Sequence, residues 1–108
     1  MKIRKERLLR RHYAALYARP HAIHDAFEQF VAFPQDGIDN QAFLAKGMLT
    51  LPILAVGAEK SYGMTMADDF RQVATNVTGA VIANSGHWIM EEQPAETVAL
   101  IRPFLEQP

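Results

Sequence analysis

The sequence predicts an α/β fold built around a parallel β-α-β unit, with one helix after the unit and helices before it. Two short apolar runs, at 52–57 and 78–83, have the length and the β-branched content of buried strands. Between them, residues 64–74 carry apolar side chains at helical spacing. A strand, a helix and a strand in this order indicate parallel strands joined by a crossover helix.

Helical periodicity dominates the chain before residue 47. The predicted helices cover residues 3–18, 21–33 and 36–46. Pro20 separates the first two, because proline cannot continue a helix, and Pro34 is expected to end the second for the same reason. Gly47 is expected to close the third, since glycine readily adopts the left-handed conformation that ends helices.

A last helix is predicted over 94–105. Pro94 suits its first position, where the missing N–H would have no helical partner. Acidic side chains stand near this start, where they favour the positive end of the helix dipole: Glu91, Glu92 and Glu96. Pro103 is expected to loosen the regular helix before it.

The composition is that of an ordinary globular protein. A net charge of -1 argues against a dedicated nucleic-acid binder, and the six basic residues near the start of the chain are interpreted as a solvated helix face. The absence of cysteine excludes disulfides and thiolate chemistry. No apolar run is long enough to span a bilayer, so we expect a cytoplasmic location and no membrane partner.

One histidine has a position that favours chemistry. His87 follows the small residues Ser85 and Gly86, directly after the predicted strand 78–83. Open α/β sheets bind their ligands at the carboxyl ends of parallel strands. His87 therefore lies where α/β sheets gather their chemistry, and it is a candidate functional residue.

The sequence around His87 resembles the last catalytic segment of the α/β-hydrolase superfamily. The matching residues are Gly86-His87-Trp88, Glu91-Glu92-x-Pro94 and the closing Phe104-Leu105, and the stretch 51–60 is similar to the strand that precedes them. The similarity is greatest to the cap-bearing branch that includes epoxide hydrolases and dehalogenases. It covers nearly all of the 108 residues but only the last part of the family's length, since such folds need roughly 200–250 residues.

This resemblance implies a partial α/β-hydrolase fold. Residues 1–47 would be a helical cap-like segment, and residues 48–108 would be the C-terminal part of the core. In a complete relative, His87 would be the general base during hydrolysis of an ester, an epoxide or a carbon–halogen bond. Trp88 would line the pocket or pack under the last helix. Phe30 stands where epoxide hydrolases carry a cap tyrosine, and it has no hydroxyl to polarise an epoxide.

A nucleophile is harder to find. No Gly-x-Ser-x-Gly or Gly-x-Asp-x-Gly elbow occurs, and the nearest sequence, Lys60-Ser61-Tyr62-Gly63, has Glu59 where the first glycine should stand. Ser61 is a weak candidate nucleophile or a turn serine, and Glu59 is a weak candidate for the orienting acid or a solvated turn residue. The segments that supply oxyanion donors are also missing, so we expect the isolated chain to be inactive.

Three interpretations of function stay open at this stage. The chain is a truncated or split hydrolase, or one half of a two-chain hydrolase, or a small binding protein that kept part of the fold. We expect a homo-oligomer or a complementing hydrolase fragment as the partner, and a small-molecule substrate only in the complete enzyme. No cofactor or metal is implied, because His21 and His24 lack a third ligand.

Overall fold

The structure, a computed structural model, describes residues 2–107. The chain divides into two compact units, Met1–Phe43 and Leu44–Pro108. Helices and parallel strands occur together, so the predicted mixed α/β class is confirmed. No helix among the described residues has the length and apolar character needed to cross a membrane.

The first unit begins with helix α1, Lys2–Tyr17, as the sequence predicts. The chain then turns at Pro20, and the Ala22 amide donates to the Arg19 carbonyl at 3.2 Å. His21 has a φ of 64°, a left-handed conformation that interrupts the helical path. Helix α2 begins at Ala22, directly after this turn.

Helix α2 corrects one prediction. It runs without a break from Ala22 to Leu44, with Pro34 inside it, whereas the sequence predicts two helices separated at Pro34. Proline at this position removes the amide that would bond the Phe30 carbonyl and crowds that carbonyl with its ring, but its fixed φ is itself helical and the helix continues. On the far side of Pro34, the Gln35 side-chain amide donates to Asp39 Oδ1 at 2.9 Å and supports the continuing helix. Gly47, with a φ of 123°, lies beyond the helix end, and its amide bonds the Leu44 carbonyl.

The apolar side chains of α2 form an exposed stripe. Ile23, Phe27, Phe30 and Val31 follow the i, i+4, i+7, i+8 spacing of one helix face. Their exposed fractions are 50%, 64%, 62% and 68%. Since helices of this pattern normally bury such a face, the stripe is a surface without a partner in the described structure of this unit.

The second unit contains the predicted parallel β-α-β unit. Strand β1 is Ile53–Ala58, helix α3 is Thr65–Arg71 and strand β2 is Val77–Ile82. The two strands pair in parallel with Ile53 opposite Val77 and Ala58 opposite Ile82. An isolated parallel bridge between Leu49 and Ala74 extends the pairing before β1. The prediction of a parallel β-α-β unit is therefore confirmed, with each strand shifted by one residue.

Close packing between α3 and the strands depends on small residues. A Cβ atom added at Gly79 would lie 2.7 Å from the Ala67 Cβ and 2.8 Å from the Met64 Cε. Ala67 is fully buried, so α3 lies almost directly on the backbone of β2. The buried apolar core of the described residues is made of small side chains and one isoleucine: Ala55, Ala58, Ala67, Ala74 and Ile82.

Two helices follow β2. The one-turn helix α4, Ile89–Glu92, was not predicted, and α5 covers Pro94–Leu105 as predicted. The buried Thr97 joins them, because its hydroxyl donates to the Gln93 carbonyl at 2.7 Å and lies 3.2 Å from the Ile89 carbonyl. Pro103 does not loosen α5, contrary to expectation. It lies in the last turn, which the Glu106 amide closes by donating to the Arg102 carbonyl.

Candidate active site

Hydrogen bonds join the loop that follows β1 to the loop that follows β2. The Glu59 amide donates to the Ile82 carbonyl at 3.1 Å, and the Lys60 amide donates to the Ser85 carbonyl at 2.9 Å. The Glu59 carboxylate accepts the Asn84 amide at 2.6 Å. Asn84 has a φ of 52°, so this bond holds a strained residue in the chain reversal after β2. Both loops at the carboxyl end of the sheet therefore form one framework.

The turn after β1 is unusually tight. A Cβ atom added at Gly57 would lie 1.8 Å from the Gly63 carbonyl oxygen, so the turn folds directly onto the strand. The Ser61 and Gly63 amides both donate to the Ala58 carbonyl, at 3.1 and 2.9 Å. Gly63 has a φ of 53°, which favours glycine. Ser61 thus lies on a sharp turn, three residues beyond the end of the strand.

The loop after β2 carries His87. Ser85 is fully buried, and its hydroxyl donates to the Ile82 carbonyl at 2.7 Å, which anchors the start of the loop. The His87 side chain is exposed, and its ring meets the Trp88 ring edge-on with centroids 4.9 Å apart. The Glu92 carboxylate accepts the Gly86 amide through Oε2 at 2.8 Å and the Trp88 amide through Oε1 at 3.3 Å.

Ser61 and His87 line the same cavity, of about 290 Å³. Most of its wall is apolar and comes from the end of β1 and from neighbouring side chains. The other lining residues are Val56, Gly57, Ala58, Tyr62, Met66 and Ile89. His87 also lines a second cavity, of about 270 Å³, together with the segment 88–91. His87 therefore contributes to the walls of both cavities.

Tyr62 and Asp69 form a pair beside the first cavity that sequence reasoning missed. The Tyr62 hydroxyl donates a short hydrogen bond to Asp69 Oδ2. This bond and the charge of the carboxylate raise the pKa of Tyr62, with a further contribution from desolvation, so its phenol stays protonated well into alkaline solution. Tyr62 lies in the turn before α3 and Asp69 lies within α3, so the two side chains do not belong to one helix face that the sequence could reveal.

The other predicted site residues have different surroundings. Trp88 is 68% exposed and lines the second cavity rather than the first. The hydrogen bond of the Glu59 carboxylate goes to Asn84, which gives this residue a structural task in the loop framework. Phe30 belongs to the unit Met1–Phe43, where its ring lies 5.2 Å from that of Phe33. Within residues 2–107, no group of three or more His, Asp or Glu side chains is placed to hold a metal ion.

These observations define an α/β protein with a histidine loop at the carboxyl end of two parallel strands. No family model matches the chain, and no curated protein matches it. The chain is similar to solved structures. One of them, Cfl2 from Burkholderia cenocepacia, is 34% identical in sequence, superposes with a TM-score of 0.81 and matches 85% of this chain. The match covers 31% of the Cfl2 chain, so this chain spans about a third of the length of that protein.

Proposed function

We propose that this chain is the histidine-bearing C-terminal part of an α/β-hydrolase enzyme, with His87 as its general base. The observation that carries the proposal is the position of His87, on the loop after β2 and in the wall of a largely apolar cavity. A cavity of this character suits a small apolar substrate. The resemblance of Gly86-His87-Trp88 and Glu91-Glu92-x-Pro94 to the epoxide hydrolase and dehalogenase branch supports the same function.

In this proposal, His87 removes a proton from a water molecule that attacks a covalent ester intermediate. That intermediate forms in the first step, when a nucleophile displaces the alcohol of an ester or the halide of a carbon–halogen compound, or opens an epoxide. Attack of the activated water then breaks the ester bond, so that the product leaves and the nucleophile is regenerated. The reaction also requires a nucleophile and oxyanion donors, which have no recognisable motif in these 108 residues. Residues outside this sequence, or a second chain, would supply them, as the 31% coverage of Cfl2 allows.

The isolated chain is accordingly expected to be inactive. We predict no turnover of p-nitrophenyl acetate, styrene oxide or chloroacetate above that of a His87→Ala variant, because without a nucleophile no covalent intermediate forms for the activated water to attack. Steady-state assays at high protein concentration measure this. Turnover that disappears on Ser61→Ala would contradict the prediction and identify Ser61 as a nucleophile.

A chimera provides the positive test. The stretch of Cfl2 that matches this chain is replaced by this chain, and the substrates are first screened with intact Cfl2. We expect the chimera to hydrolyse a substrate that Cfl2 turns over, and His87→Ala to lower kcat by about 100-fold or more, the usual contribution of a general base. Ser61→Ala is the matched control in the same cavity and should change kcat little. A folded chimera that is active without His87, or that is inactive on a substrate that intact Cfl2 hydrolyses, would refute the proposal.

The exposed apolar side chains favour a second candidate, an oligomeric binding or interaction protein derived from the same fold. Phe27, Phe30 and Val31 on α2 and Leu105 on α5 are each more than 60% exposed. Apolar surface of this kind on a small domain is typical of an interface. In this case the chain would associate with copies of itself, and the chimera would gain no activity that depends on His87.

A further inference from the structure

Glu92 makes the contacts that carry one inference beyond the proposed general base. It is the last residue of α4 and lies five residues after His87. Its two carboxylate oxygens accept different backbone amides, Oε2 from Gly86 at 2.8 Å and Oε1 from Trp88 at 3.3 Å. These two residues flank His87, so a single carboxylate binds the backbone on both sides of the histidine.

The backbone of Glu92 strengthens this arrangement. Its amide donates to the Trp88 carbonyl at 2.9 Å, so Glu92 contacts both the amide and the carbonyl of Trp88. Hydrogen bonds to an ionised acceptor are roughly twice as strong as those between neutral groups. Glu92 therefore connects the short helix α4 to the loop that carries His87.

Gly86 permits the close approach of the carboxylate. A Cβ atom at this position would lie 3.0 Å from Glu92 Oε1 and 3.4 Å from Oε2, tighter than an ordinary van der Waals contact. A side chain at residue 86 would thus require the carboxylate to shift by a few tenths of an ångström. The glycine that precedes the histidine and the glutamate that follows it fit one another in space.

Two nearby acidic side chains have other hydrogen-bond partners. The Glu59 carboxylate accepts the Asn84 amide, and Asp69 accepts the Tyr62 hydroxyl. Their contacts fix the start of the loop and the turn after β1, respectively. Glu92 acts closer to the histidine, because its two partners are the residues on either side of it.

We infer that Glu92 is the positioning residue of His87: its carboxylate fixes the backbone on both sides of the histidine and so holds the imidazole between the two cavities and against the Trp88 ring. The catalytic consequence of this inference rests on the proposed function, but the geometric part does not. The carboxylate acts on the histidine through the backbone and is no partner of the imidazole in proton transfer.

Proton NMR of the complete chain tests the geometric part. The edge-on contact of His87 with the Trp88 indole, at 4.9 Å between ring centroids, shifts the His87 ring protons through the indole ring current. The other histidines, His12, His21 and His24, lie in the first unit and serve as internal references. We expect Glu92→Ala to abolish the ring-current shift of His87 and Glu92→Gln, which retains one acceptor oxygen, to reduce it. The matched control Glu96→Gln, in the first turn of α5, should leave all four histidines unchanged.

A measurement without any substitution keeps the inference testable if the Glu92 variants do not fold. In the unsubstituted chain, the amides of Gly86 and Trp88 should exchange with deuterium at least tenfold more slowly than unprotected amides. Unprotected exchange at both amides, or a folded Glu92→Ala variant with unchanged His87 signals, would overturn the inference.

The chimera with Cfl2 tests the catalytic consequence separately. There we expect Glu92→Ala to lower kcat about 10- to 100-fold with little change in KM, since a misplaced base affects chemistry more than binding. A chimera whose activity is independent of His87 would refute the proposed function and leave the NMR result for Glu92 intact. Displaced His87 signals with an unchanged kcat would refute the catalytic part of the inference alone.

Discussion

At the scale of single residues, two glycines determine the shape of the turn beside the cavity. Gly57 and Gly63 approach so closely that a Cβ atom on Gly57 would overlap the Gly63 carbonyl oxygen at 1.8 Å. The obstacle is backbone, so rotation of a side chain cannot relieve it. The turn that carries Ser61 and Tyr62 thus exists only because residue 57 has no side chain.

Gly57→Ala should therefore destabilise the second unit by about 3 kcal/mol or more, beyond the usual cost of a small overpacked group. Urea unfolding followed by the fluorescence of Trp88, the single tryptophan, measures the change. The matched control is Gly37→Ala in α2, where nothing lies within 4 Å of the added Cβ. This control should leave the urea midpoint of the Trp88 transition unchanged. If Gly57→Ala has the same urea midpoint as the unsubstituted chain, the turn is more open than the structure has it.

Part of the candidate site was predictable residue by residue. The placement of His87 after a strand follows from local sequence, and the order of strands and loops brings Ser61 to the same cavity. The contacts of Glu59, Glu92 and Tyr62 were not predictable in this way. Each depends on a backbone path or on a partner in a different element. Tyr62, for example, lies in the turn before α3, whereas its partner Asp69 lies within that helix.

At the scale of secondary-structure elements, Pro34 is the feature that separates prediction from structure. The sequence places a helix end there, while the structure continues α2 to Leu44. Proline in a helix interior costs about 3 kcal/mol relative to alanine. The rest of α2 supplies enough helical hydrogen bonds to continue past that position.

Pro34→Ala should consequently stabilise α2 by about 1–3 kcal/mol, since it restores the amide that can bond the Phe30 carbonyl. Circular dichroism at 222 nm, recorded during thermal unfolding, should show a higher midpoint and equal or greater helical signal. Pro94→Ala is the control, because Pro94 occupies the first turn of α5, where proline is favourable. A lower midpoint for Pro34→Ala would indicate two separate helices, as the sequence alone predicts.

The elements that sequence periodicity predicted best are those with a clear pattern and clear ends. Strands β1 and β2 are short β-branched runs, and α5 starts with a proline. Helix α4 escaped prediction because a single turn is too short to show helical periodicity. The side chains of Glu92 and Thr97 bond the backbone of this segment across six and eight residues, and these contacts follow from the path of the loop and not from a periodic pattern.

At the scale of the whole molecule, the large apolar side chains are mostly exposed and the buried ones are mostly small. The buried apolar core of the described residues consists of four alanines and one isoleucine, whereas large apolar side chains on α2, α4 and α5 are exposed. Each strand of the two-stranded sheet also has an unpaired edge. A pair of strands is marginal in water by itself, so these surfaces gain stability when something covers them.

We therefore predict that the chain forms a homo-oligomer, most simply a two-fold dimer, with the α2 stripe or the strand edges at the interface. Static light scattering at micromolar concentration should give at least twice the mass of one chain. If the stripe is the interface, Phe27→Lys should weaken the association at least tenfold, because it places a charge among the apolar side chains of Ile23, Phe30 and Val31.

Gln29→Lys is the matched control for this last prediction. It adds the same charge to the same helix two residues further on, about 200° around the axis from Phe27, and should leave the association unchanged. Equal weakening by both variants would mean that net charge, and not the apolar stripe, controls association. Unchanged association in both would assign the interface to the strand edges instead. A monomer that melts in one cooperative step would show that the chain covers these surfaces by itself, and the prediction of a homo-oligomer would then be wrong.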